Sequence, residues 1–215
     1  MTAAEALNDA LRWLDERGLN AGTSGNLSIR VDDGLLVTPS AIPPSELSPE
    51  RMVLLGLDGA CRSDGVPTSE WRIHRDIYLA RPDAGAIVHT HSTYATALAS
   101  LRENLPPFHY QVAKAGGREI VCSAYAPYGT QELSDAVKAA LGDRRACLMA
   151  NHGMLALGPD LQKAVSLALE VEVLCRQYLI ARAAGSPVLL TDEQMDIARD
   201  SFLTYGQPES RRVPL

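Results

Sequence analysis

The sequence predicts a mixed α/β sandwich built as a single domain. Amphipathic segments with helical spacing alternate with short apolar segments of strand length, some joined by tight turns. Of 215 residues, 46% are hydrophobic and 21% charged, enough apolar material for one large core. No repeat, low-complexity run or linker divides the chain. Residues 1–206 therefore read as one domain, and Gln207–Leu215, polar and proline-containing, as a mobile tail.

The elements follow in order. Thr2 to Arg17 opens with a Thr-x-x-Glu capping box, sets Leu7, Ala10, Leu11 and Leu14 on one face, and stops at Gly18. Leu27–Val31 and Leu35–Thr38 flank Asp32-Asp33-Gly34 and form a hairpin. Met52–Leu57 is a third strand, turned by Asp58-Gly59. Trp71–Ala80 has helical spacing and ends before Pro82, and Ala86–His91 is a short apolar strand. Thr130–Leu141 is a helix ended by Gly142, followed by the strand Ala146–Ala150. A long helix spans Leu161–Ala183, and Thr191 opens another.

Charge and composition exclude several functions. A formal charge of -6 with a pI near 5.4 argues against non-specific nucleic-acid binding. The start carries no secretory signal pattern, and no apolar run reaches membrane-spanning length. Cys61, Cys122, Cys147 and Cys175 are widely spaced and form no Cys-x-x-Cys pair, so a reduced, cytoplasmic setting is expected.

The chemistry-bearing residues begin with His89-Thr90-His91. Alternate strand residues share a face, so both imidazoles can turn toward one point. Alone, such a pair also fits two satisfied polar groups at a strand end. His152, in Asn151-His152-Gly153, offers a third imidazole at a second strand end, and three histidines with one open position form a catalytic zinc set. Gly153 would let backbone or ligand come close. Of the other histidines, His74 reads as a helix-surface or core residue, and His109 as a neighbour of Tyr110.

Gly22-Thr23-Ser24-Gly25-Asn26 is a small-residue loop able to surround an anion with N–H and hydroxyl groups, though a plain turn has the same composition. It matches neither a Walker loop nor the dinucleotide fingerprint. Thr38-Pro39-Ser40 and Thr68-Ser69 add hydroxyl donors suited to a phosphate. Glu70 stands at the start of the Trp71 helix, where the dipole favours an acid; near a metal it is also placed for general acid–base work. Tyr110, Tyr128 and Tyr205 are candidate phenol acids, and Lys114 reads as an exposed charge.

Taken together, these motifs resemble the class II aldolase/adducin family. The resemblance is carried by Gly22-Thr23-Ser24-Gly25-Asn26-Leu27-Ser28, Thr38-Pro39-Ser40, Thr68-Ser69-Glu70-Trp71-Arg72 and Val88-His89-Thr90-His91. It continues through His109-Tyr110, Ala115-Gly116-Gly117, Gly129-Thr130, Asn151-His152-Gly153, Glu170-Val171-Glu172-Val173 and Thr204-Tyr205-Gly206. The resemblance implies a central, mostly antiparallel sheet flanked by helices in an α/β/α arrangement. It implies a homotetramer with active sites between subunits and one Zn2+ per subunit held by His89, His91 and His152. Glu70 would be the acid/base, while Asn26, Ser40, Thr68 and Ser69 would hold the phosphate of a small phosphorylated sugar. Tyr110 would reach a neighbouring subunit's site, and Tyr205 would help close it.

The implied reaction is reversible aldol cleavage of a ketose 1-phosphate such as L-fuculose 1-phosphate, giving dihydroxyacetone phosphate and an aldehyde. Zinc would act as the Lewis acid. One departure from the family is Ala41, where its aldolases usually carry glycine. Dehydratases, 4-epimerases and decarboxylases of sugar phosphates share the scaffold, as does a non-catalytic adducin-like interaction module. Phe108–Ala115 contains no acidic residue of the kind the epimerases use, and the retained histidines and Glu70 weigh against the silent module.

Overall fold

Period-two alternation sorts the strand side chains onto two faces, and helices cover both. The structure is a computed structural model that describes residues 1–32 and 34–204. Its strands are β1 (Asn26–Val31), β2 (Gly34–Val37), β3 (Val53–Gly56), β4 (Ala86–Thr90), β5 (Ala146–Met149) and β6 (Gly153–Gly158). They form one sheet of 6 strands in the order β3-β2-β1-β4-β6-β5, with every neighbouring pair antiparallel.

Leu27, Val88, Leu148, Met154 and Ala156 face one side, where they meet α1 (Ala3–Glu16), α3 (Thr93–Ser100) and α5 (Leu161–Ala184). Val37, Leu55, Ile87, Cys147 and Leu155 face the other, under α2 (Trp71–Ala80) and α4 (Gln131–Leu141). The expected α/β/α sandwich is therefore two apolar cores separated by one sheet. The last helix, α6 (Asp192–Thr204), packs on a 3-10 turn at Tyr110–Ala115. No helix among the described residues is long and apolar enough to cross a membrane.

Local signals hold where they were strongest. Thr2 and Glu5 form the reciprocal capping box, and Thr130 and Asp160 cap α4 and α5 with their side chains. At the hairpin, Val31 pairs with Gly34, so Gly34 belongs to β2 and not to the turn. It is glycine because a Cβ there would collide with the Leu55 carbonyl of β3.

Among the α-helices and strands, α3 and β6 have no counterpart in the sequence reading. The Thr93–Ser100 segment is short, and its N-terminus is capped from afar. The Glu172 carboxylate of α5 accepts from Tyr94 N at 2.9 Å and from Ala95 N at 2.8 Å. Every residue of β6 is buried, so the strand shows no alternation to betray it. Lys114 is also not a free surface charge, since it pairs with Glu170 of α5 at 3.0 Å and is one-third exposed. The expected tail and Tyr205 lie outside the described residues.

Candidate active site

The site forms where β1, β4, the β5–β6 turn and the start of α2 converge. Register places Asn26 of β1 directly across from His89 of β4. His91 lies one residue past the end of β4, and His152 sits in the β5–β6 turn. That turn depends on Asn151, which takes a left-handed backbone (φ 53°), a conformation asparagine tolerates better than most residues. Gly153 follows because a Cβ there would meet the Thr90 carbonyl oxygen and, at 3.2 Å, the His91 ring. The close approach anticipated at Gly153 is thus that of strand backbone, and it holds the two histidine-bearing segments together.

Glu70 occupies the N-cap position of α2 but makes no side-chain capping bond. Its carboxylate turns into the site instead. Oε2 lies 3.1 Å from His89 Nε2, and Oε1 lies 3.3 Å from His152 Nε2. His89 Nε2 and His91 Nε2 face each other at 2.9 Å. The ligand-capable atoms of Glu70, His89, His91 and His152 all fall within 4.8 Å of one another.

The donor set fits a metal ion. The His89 Nδ1–H donates to the Met154 carbonyl at 2.8 Å, which turns the Nε2 lone pair inward in the way metal-ligating histidines are held. Glu70 Oε1 is buried with no hydrogen-bond partner, a costly condition unless a cation or proton donor shares the space. Three imidazoles and a carboxylate suit a divalent metal of the zinc type.

The same contacts set the electrostatics of the metal-free site. Burial works to raise the Glu70 pKa, but the charge and hydrogen bond of His89, the charge of His152 and the Asn26 N–H outweigh it, leaving the carboxyl well below its usual range. Burial also opposes charge on His89, yet Glu70 and the Met154 carbonyl raise it. His91 is pushed down to about 4 by burial and by the nearness of His89 and His152. His152 is pushed down to about 4 by burial and His89. Both therefore stay neutral, as metal ligands must.

These groups form the floor of a cleft of about 580 Å³. Thr23, Ser24, Gly25, Ser40, Ala41, Thr68 and Ser69 supply small and hydroxyl-bearing lining, and Tyr125, Ala126, Tyr128 and Asn151 complete it. All four expected phosphate contacts, Asn26, Ser40, Thr68 and Ser69, line this cleft, as do Glu70, His91 and His152. His89 is 1% exposed and sits behind it.

Tyr110 is not part of that lining. It is half exposed, stacked on His109 and Phe202, and faces a second cleft with Lys114. Ala41 adopts φ 57°, so its Cβ is held in a left-handed turn on the cleft wall. Sequence reasoning missed Tyr125, although it stands three residues before Tyr128 in the same loop. Ser28, His74 and Tyr78 are buried behind Glu70, so that His74 takes the core place that was one of its two expected readings.

Comparison with known proteins identifies the family. The family profile described as Class II Aldolase and Adducin N-terminal domain matches residues 5–179. A 5-methylthioribulose-1-phosphate/5-deoxyribulose-1-phosphate aldolase from Rhodospirillum rubrum is 47% identical over 200 residues, covering 93% of this chain and 90% of the relative. An L-fuculose phosphate aldolase from Escherichia coli is 42% identical over 204 residues, covering 94% and 95% respectively. Among solved structures, an L-fuculose 1-phosphate aldolase superposes with a TM-score of 0.91 at 38% identity, covering 94% of this chain and 96% of that one. Matched along nearly its whole length in sequence and in fold, the chain belongs to the class II aldolase/adducin family, and within it to the aldolases, which are metal-dependent carbon–carbon lyases.

Proposed function

We propose that the protein cleaves a ketose 1-phosphate reversibly into dihydroxyacetone phosphate and a short aldehyde, using Zn2+ held by His89, His91 and His152. The carrying observation is the meeting of three imidazoles and Glu70 at the floor of a cleft walled by hydroxyl-rich loops. When bound, the metal supplies Lewis acidity toward the substrate carbonyl and the negative charge that develops beside it.

The chain's own residues do the rest. Ser40, Thr68, Ser69 and the Gly22–Asn26 loop hold the phosphate without a lysine or arginine on that wall, and so set the depth at which the carbonyl sits. Glu70 removes and returns the proton on the carbon next to that carbonyl. Its lowered pKa keeps it ionised, the form that a base must have. Tyr110 serves the site of a neighbouring subunit in a homotetramer and protonates the leaving oxygen there. Its half-exposed position outside the lining of its own cleft supports that reading. Tyr205 helps close the site.

For the sugar, the relatives named above are aldolases of 5-methylthioribulose 1-phosphate, 5-deoxyribulose 1-phosphate and L-fuculose phosphate. We therefore place L-fuculose 1-phosphate and 5-deoxyribulose 1-phosphate first. The test is a panel of ketose 1-phosphates assayed for release of dihydroxyacetone phosphate, with Glu70→Gln and His91→Ala as controls. Products that keep an intact carbon chain would replace the aldolase reading with an epimerase or dehydratase.

A further inference from the structure

Behind Glu70 runs a line of side chains sealed from water. The Asn26 Nδ2–H donates to Glu70 Oε2 at 2.9 Å. Asn26 Oδ1 lies 2.6 Å from His74 Nε2, His74 Nδ1 lies 2.7 Å from Ser28 Oγ, and Ser28 Oγ lies 2.9 Å from the Tyr78 hydroxyl. Ser28 and His74 are fully buried, and Tyr78 is 2% exposed.

The spacing of two elements makes this line possible. Glu70, His74 and Tyr78 recur every four residues along α2, a rise of about 6 Å per step. Asn26 and Ser28 are two residues apart on β1, about 6.6 Å. The polar stripe of the helix therefore interleaves with the polar face of the strand, rung for rung.

The direction of every bond follows from the charge at one end. An ionised carboxylate only accepts, so the Asn26 amide must turn its nitrogen toward Glu70 and its oxygen toward His74. His74 must then carry its proton on Nε2 and leave Nδ1 bare. The Ser28 hydroxyl donates to Nδ1, and the Tyr78 hydroxyl donates to Ser28. Burial, with the nearby charge on His89, pushes the His74 pKa down to about 3, consistent with a neutral ring that can accept from Ser28.

We propose that His74 is a positioning residue for the reaction. Held in its Nε2–H tautomer by Ser28 and Tyr78, it locks the Asn26 amide with its nitrogen facing Glu70 and the substrate. This rests on the reading that Glu70 carries the proton. One Asn26 N–H holds Oε2, so Oε1, which has no hydrogen-bond partner, is the oxygen left to work on the substrate. The second Asn26 N–H is free for the phosphorylated substrate. Asn26 thus ties the phosphate-binding wall to the acid/base, and His74 sets its orientation. Without the His74 N–H, the Asn26 oxygen loses its donor, and the Glu70 carboxylate alone is left to orient the amide.

Two measurements on the full, metal-loaded chain test this. In histidine-15N-labelled protein, the His74 signals, assigned by their loss in His74→Gln, are expected to show a neutral ring protonated at Nε2. A ring protonated at Nδ1, or at both nitrogens, overturns the proposal, and this arm needs no substrate. The second measurement is hydrogen–deuterium exchange into dihydroxyacetone phosphate. His74→Phe should slow the limiting rate by about 10–100-fold and raise KM for dihydroxyacetone phosphate, with metal content near wild type. His74→Gln, which keeps an N–H at similar reach, should stay within about threefold of wild type, and Tyr78→Phe should fall between the two. If His74 only fills the core, both substitutions lower Tm while the rate per folded molecule is unchanged, which overturns the proposal. If wild-type protein itself gives no exchange, the proposed function fails, and the tautomer measurement still decides the role of His74.

Discussion

The floor and the rim of the cleft are built by opposite means. The floor rests on strand ends and a helix start. Glu70 and His89 are buried (5% and 1% exposed), and His91 and His152 are partly buried beside them. The rim is made of loops. Tyr128 is 76% exposed, and Ala41 and Asn151 sit in left-handed backbone conformations. The difference separates two tasks. Reactive groups need atoms fixed to a fraction of an ångström, and strands and helices supply that. Recognition of a particular sugar needs a surface that can vary without disturbing the core, and loops supply that. Floor substitutions should therefore abolish chemistry, whereas rim substitutions should shift affinity or stability.

The largest effect is expected at the floor. His91→Ala removes one of three imidazoles, and elemental analysis of purified protein should find bound zinc far below one per chain, with activity down by at least about 1,000-fold. Glu70→Gln should keep the metal yet lose about 100- to 10,000-fold in proton exchange, because the amide cannot accept the proton. Full metal retention and full activity in either variant would break the contrast between floor and rim.

At the rim, Ser40→Ala or Ser69→Ala should raise KM for the phosphorylated substrate by about 10-fold, the loss of one hydrogen bond to a charged group, with kcat nearly unchanged. A fall in kcat at constant KM would mean that the loops take part in the chemistry. Acid should act through the floor in metal-free protein. His74, His91 and His152 have folded-state pKa values lowered to about 3, 4 and 4. The unfolded chain takes up protons near pH 6.5 that the folded chain refuses, so Tm should fall as pH drops from about 6.5 toward 4. His89, raised in the folded state, already contributes fully below pH 6.5 and adds no slope there. The smallest effect belongs to Ala41→Gly. It relieves a left-handed alanine costing about 1–2 kcal/mol and adds about 0.5–1 kcal/mol of glycine entropy. Denaturant titration should show slightly higher stability.

The same contrast explains what the sequence could disclose. His89, His91, His152 and Glu70 were legible together because strand periodicity set the first two on one face and the family resemblance, not their chemistry alone, joined the others to them. The helices were legible wherever the cap lies within the segment, as at Thr2 and Thr130. The α3 helix was not, because its cap is Glu172, 78 residues from Tyr94. For β6, burial on both faces erased the alternation that marks a strand. Glu70, His74 and Tyr78 repeat every four residues, and Asn26 and Ser28 alternate, all in plain sight. Their meaning required knowing that α2 lies across β1. Lys114 was read as a surface charge because its partner, Glu170, arrives from a distant helix.

The central claim is that this cleft binds dihydroxyacetone phosphate against a metal and that Glu70 exchanges its proton. The most direct measurement is proton NMR of dihydroxyacetone phosphate incubated in deuterated buffer with stoichiometrically zinc-loaded protein and no aldehyde. The account predicts replacement of one hydroxymethyl hydrogen by deuterium, dependent on Glu70. Fully zinc-loaded protein that binds the phosphate and exchanges nothing would contradict it.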